Sequence, residues 1–196
     1  MNLYNGNPQP MANAKITAWK TELAANTTLF QQAFGGLSAE QLNWKPNPET
    51  WSIAQNINHL ITINETYFPV IEKVQNGEYN TPWWSKLAFV TRFFGNVIYN
   101  ASDANRKRKM KTFPIWEPEA SDLPADILDQ FEAHQQALAK QIESAVNLIE
   151  RGVVISSPAN SSIVYKLERA FDIIVVHEKR HFEQAKEVMK MMQSLA

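Results

Sequence analysis

Two imidazoles four residues apart carry the clearest chemistry in this sequence: His177 and His181, within His177-Glu178-Lys179-Arg180-His181. On a helix this spacing places both rings on one face, one turn apart, where both can reach a single metal ion. Imidazole suits borderline divalent metals such as zinc and nickel. Written as H-E-x-x-H, the same string is the signature of zinc proteases, in which the glutamate acts as general base. Such a site needs a third protein ligand, and in those enzymes it follows downstream, as a Glu or as a His within one loop. Here no His follows His181. Glu183 projects from the opposite side of the helix, and Glu187 lies nearly two turns on, too far to share the ion. The protease site is incomplete, so the third ligand must come from upstream, from His59 or His134.

Composition narrows what such a site can do. The chain has 196 residues and no cysteine, which removes thiolate nucleophiles, disulfides and cysteine-type zinc sites together. Any metal must be held by His, Asp or Glu, and any thiol chemistry must use a thiol supplied as cosubstrate. The net charge of −1 offers no global attraction for nucleic acid or an anionic membrane, and neither is an expected partner. No apolar run reaches the ~18 residues of a spanning helix. The polar N-terminus lacks the layout of a signal peptide, so the expected location is cytoplasmic. The run Arg106 to Lys111 holds five positive charges in six residues. Its expected role is a solvated face balanced by the acidic segment Glu117 to Asp129. Phosphate binding is the alternative, as is a place beside the pocket mouth that favours an anionic cosubstrate.

The elements that must position these residues read as helices. One domain is expected over 1–196, with residues 1–12 as an N-terminal tail and 78–120 as an irregular excursion. A first helix is predicted from Asn13 to Phe34, carrying Ile16, Trp19, Leu23, Phe30 and Phe34, and is stopped by Gly35-Gly36. Ser38 to Gln41 reads as a capping box opening a short turn. Ser52 caps a second helix that runs to about Gln75 with a kink at Pro69. A third helix is predicted from Ser121–Pro124 to Gly152, with the stripe Ile127, Phe131, His134, Leu138, Ile142, Ala145 and Ile149. A polar loop, Ser156 to Ser162, then leads to a fourth helix from Val164 to Gln193. Its stripe of Leu167, Phe171, Ile174, His177, His181, Ala185, Val188 and Met192 sets both histidines toward the bundle interior. No segment shows the sustained alternation of a half-buried strand. The aromatics Trp83, Trp84, Phe113 and Trp116 are candidates to line or cover a pocket.

Around His59 the chain reads Trp51-Ser52-Ile53-Ala54-Gln55-Asn56-Ile57-Asn58-His59-Leu60. That segment, followed far downstream by His-Glu-x-Arg-His and then Gln184, resembles the DinB/YfiT-like superfamily. Lys109 to Pro114 resembles a middle section of some members. The likeness extends from about Lys15 to Met192 and rests on the order and separation of short motifs. It implies an all-α four-helix bundle with a long, partly helical crossover between helices two and three. It also implies a metal held by one His of the second helix and two of the last, His59, His177 and His181, and for such imidazole ligands a divalent ion, zinc or nickel, is expected. His134 then becomes a spare, a core histidine that could still join the site. Asn56, one turn before His59, Gln184, one turn after His181, and Glu178 are candidate hydrogen-bond partners of the ligands. In members with assigned activities the resemblance implies transfer of a low-molecular-weight thiol to a small-molecule electrophile. Hydrolysis at the same metal is the alternative. A non-enzymatic metal-binding, stress-associated bundle is a further one. The oligomeric state is left open, a homodimer being one option.

Overall fold

The computed structural model describes residues 9–103, 112–118 and 122–194. Its first helix, α1, spans Gln9–Phe34 and so begins before the expected start at Asn13, taking in part of the supposed tail. A short α2, Ala39–Asn43, is opened by the capping box of Ser38 and Gln41. The helix that carries His59, α3, spans Ile53–Glu65. Ser52 Oγ accepts the Gln55 backbone N–H at 3.0 Å, and Gln55 Oε1 accepts the Ser52 N–H at 3.1 Å. This reciprocal cap satisfies two of the donors that a helix start leaves without partners.

The expected kink at Pro69 is a break. Proline has no N–H, and its ring collides with the carbonyl four residues earlier, here that of Glu65. The helix ends at Glu65, turns through Thr66 and Tyr67, and restarts as α4, Phe68–Gln75. After a 3-10 turn at Trp83–Lys86, α5 spans Ala88–Ser102. It packs on the bundle through Thr91, Gly95 and Ser102, while Phe89, Phe93 and Val97 face solvent. A Cβ on Gly95 would meet Arg169 Cγ at 3.0 Å, so glycine permits this close approach. A second 3-10 turn, Pro114–Trp116, follows. The basic run Arg106 to Lys111 lies outside the described residues.

The third long helix begins later than expected. Asp122 has a φ of 74°, a left-handed conformation that cannot belong to a right-handed helix. The helix proper, α6, spans Ile127–Ser144 and gives way at Ala145 to a separate turn, α7, Val146–Glu150.

The expectation of no strands is corrected between the last two helices. An antiparallel hairpin is formed by β1, Val154–Ser157, and β2, Asn160–Lys166, turning at Pro158-Ala159. Val164 to Lys166, expected to open the last helix, are strand residues instead. The β-branched and aromatic residues Val154, Ile155, Ile163, Val164 and Tyr165 favour the pleated surface, with Ile155 paired to Tyr165 and both buried. The last helix, α8, therefore starts at Leu167 and runs to Gln193.

The four long elements pack as a square: α1 and α3 each touch both α6 and α8. Two apolar clusters fill it. One gathers Trp19, Leu23, Tyr67, Leu138, Tyr165 and Phe171. The other gathers Phe30, Phe34, Ile57, Phe131 and Phe182. This is the expected all-α bundle, with the hairpin and α5 laid against α8.

Candidate metal centre

His59 lies on α3, and His177 and His181 lie on α8. These two helices pack along each other, which brings the three rings together. One nitrogen from each ring falls within 4.8 Å of the others, and no further His, Asp or Glu among the described residues joins the group. Nε2 of His181 stands 3.1 Å from Nε2 of His177. Two imidazole nitrogens on one tetrahedral zinc, each about 2.0–2.1 Å from it, would be about 3.3 Å apart, so the pair has the right separation.

The outer nitrogens of His59 and His181 are already committed. The Trp116 carbonyl lies 2.6 Å from His59 Nδ1. Asn56 Oδ1 lies 2.8 Å from His181 Nδ1. The Asn56 amide is oriented by its own N–H, which donates to the Ser52 carbonyl at 2.8 Å. Both oxygens can only accept, so both rings carry their proton on Nδ1 and leave a bare Nε2 lone pair facing the shared space. Burial pushes the imidazoles of His59, His177 and His181 below their ordinary range. Neighbouring ring charge, and the guanidinium of Arg180 beside His177 and His181, push the same way. Neutral rings, with inward lone pairs on His59 and His181, suit the donor set a borderline divalent metal requires.

Aromatic rings frame the cluster. Trp51 stacks on His181, with centroids 5.8 Å apart at 20°, and leans on His59 at 4.9 Å. Arg180 donates to the carbonyls of Ala101 and Asp103 at 3.2 and 3.1 Å, tying the end of α5 to α8 beside the site. Trp116, predicted as a pocket aromatic, contributes its backbone carbonyl. A main-chain contact of that kind leaves no trace in residue type.

The other predicted residues have different places. Among the described residues Gln184 is half-buried and bonds to none of the three histidines. Glu178 faces away from the rings, with its carboxylate among the amides of Asn26, Asn64 and Gln135. Burial raises its pKa to about 7, against the lowering effect of those three donors. His134 is not in the cluster. It stacks on Phe68 at 5.8 Å with its Nδ1 3.8 Å from Glu65, and burial lowers its pKa to about 4.

A family model described as the DinB superfamily matches residues 22–185, a span that contains all three clustered histidines. The "Uncharacterized protein YuaE" of Bacillus subtilis (strain 168) is 28% identical over 162 residues, covering 81% of this chain and 89% of that protein. No solved structure gives a significant match.

Proposed function

The chain belongs to the DinB superfamily, and from that premise we propose a metal-dependent enzyme that transfers a low-molecular-weight thiol to an electrophilic small molecule. Its divalent ion, zinc or nickel, is held by His59, His177 and His181. One observation carries the reading: three neutral imidazoles converge without a fourth protein ligand among the described residues. Structural zinc sites are closed by four protein ligands, whereas catalytic sites keep a position for an exogenous one. A divalent ion bound there would hold the sulfur of a thiol as thiolate at neutral pH. The chain has no cysteine, so the nucleophile arrives with the cosubstrate. The protein's own work is positional. Trp116 O and Asn56 Oδ1 fix the tautomers of His59 and His181, and Trp51 covers the face of His181.

The test is elemental analysis of protein reconstituted with zinc or nickel, wild type against His59→Ala, followed by a thiol-consumption assay with an electrophilic acceptor. Wild type is expected to hold about one ion per chain and His59→Ala far less, since a two-ligand remnant binds weakly. A metal-free wild type would sink the proposal. A metal-loaded protein that consumes no thiol would remove the transferase assignment and leave a metal protein.

A further inference from the structure

Each of the four helices of the square contributes one buried polar residue at the same level of the bundle: Asn26 from α1, Asn64 from α3, Gln135 from α6 and Glu178 from α8. On every helix that residue falls between the two apolar clusters. On α1 it sits between Leu23 and Phe30, on α3 between Leu60 and Tyr67 of the turn that follows, on α6 between Phe131 and Leu138, and on α8 between Val175 and Phe182. Glu178, with 0% exposure, is the common acceptor. Asn26 Nδ2 and Gln135 Nε2 each donate to its Oε2 at 2.9 Å, and Asn64 Nδ2 donates to its Oε1 at 3.0 Å.

An apolar side chain at this level would simply join the two clusters. A buried carboxylate held by neutral amides gives up solvation that packing does not return, and what it gains is geometric definition. Hydrogen bonds of 2.9–3.0 Å tolerate little displacement, so three of them from three directions fix where Glu178 points. Residues on a helix are rotated by about 100° and raised by about 1.5 Å per position. Fixing Glu178 therefore fixes the neighbouring His177, and His181 one turn from it. The Asn64–Glu178 bond joins the two helices that carry the three clustered histidines, while Asn26 and Gln135 brace it from helices that carry none of those three.

We propose that this polar layer is the positioning device of the histidine site. Glu178 is a positioning residue that sets the rotation and register of α8 against α3, and thereby the convergence of His59, His177 and His181. This rests on the metal-site reading above. Its prediction is that changes in the layer alter the metal's surroundings, whereas an equally destabilising change in the apolar core does not.

The experiment compares Glu178→Leu, Glu178→Gln and Asn26→Leu with Leu23→Ala, a core change one turn from Asn26 on the same helix. Zinc affinity is read by chelator competition, site geometry by the absorption of the cobalt-substituted protein, and folding by thermal melting. Glu178→Leu should weaken zinc binding about tenfold or more and change the cobalt spectrum, in the range seen when groups supporting metal ligands are removed. Glu178→Gln, keeping one acceptor oxygen, and Asn26→Leu, keeping two donors, should show smaller losses in the same direction. Leu23→Ala should melt earlier with wild-type affinity and spectrum. Folded layer variants with wild-type affinity and spectrum would overturn the proposal, as would a Leu23→Ala protein that loses affinity equally. If Glu178→Leu does not fold, Asn26→Leu decides. Should the wild type bind no zinc or nickel, the functional reading fails by itself, and the layer is then judged on the metal-free protein. There the slowly exchanging Nδ1–H of His181, seen by NMR, should persist in wild type and Leu23→Ala and vanish in Glu178→Leu. Its persistence in Glu178→Leu would overturn the positioning role.

Discussion

A histidine can serve as a ligand only when the right nitrogen is bare, and at this site neighbours decide which. Asn56 illustrates how local the control is: Ser52 orients its amide, and its oxygen orients His181. Asn56→Leu is expected to leave the helix intact and free the His181 ring to change tautomer. Metal affinity should fall about ten- to hundredfold, the usual cost of losing such a partner. Chelator competition measures this, and an unchanged affinity would show that the Asn56 contact is dispensable. His134 makes the contrast. It is buried like His59 and His181 but faces Glu65 and Phe68, so its neutrality serves packing.

At the level of elements, the site depends on where α3 starts and where α8 points. Ser52 begins α3 one turn before Asn56 and two turns before His59, so the cap sets the phase of everything that follows. Ser52→Ala removes an acceptor for the Gln55 N–H and should cost about 1 kcal/mol. Urea denaturation should show this as a lower midpoint with an unchanged slope, since the folded surface is the same. A cost near zero would mean that packing of Ile53, Ile57 and Leu60 alone holds the helix start. The hairpin plays the matching part for α8. By using Val164 to Lys166 as strand, it delays the helix to Leu167 and seats Tyr165 Oη 2.8 Å from Tyr67 Oη.

For the whole molecule, burial of neutral imidazoles links stability to pH. His134 is held down to about 4 when folded and returns to about 6.5 when unfolded. Its contribution is complete above 6.5, shrinks as pH falls from there, and is gone below about 4, where both states are protonated. That share amounts to roughly 3 kcal/mol. The three clustered histidines shift in the same direction. Glu178, raised to about 7, opposes them, because its folded state holds a proton more readily than its unfolded state. Among the described residues the four histidines outweigh Glu178 over this range, with Glu168 adding to them at its acid end, so the metal-free protein is expected to lose stability on acidification from 6.5 toward 4. Thermal melts across that range check the sign, and His134→Leu should flatten the slope. A divalent metal bound by the folded state alone would raise stability by about 2.7 kcal/mol at a hundred times its dissociation constant. Protons competing for the histidines should erase that gain in acid.

What the sequence determined by itself was periodic or local. The four-residue spacing of His177 and His181, the caps at Ser38 and Ser52, and the stripes of α1, α6 and α8 depend on neighbours within a few residues, and all can be read from order alone. The polar layer left a faint trace in the same pattern, since Asn26, Asn64, Gln135 and Glu178 each interrupt an apolar stripe. Only the tertiary structure decided what those interruptions meant, because each partner lies on another helix and helix order does not set rotation. It also brought to the pair His59, to which the family resemblance had pointed and periodicity alone had not, and decided that a backbone carbonyl at Trp116 meets His59 and that a stretch expected to be loop and helix pairs as strands. Each outcome turns on which distant surface a residue meets, and that is fixed by packing.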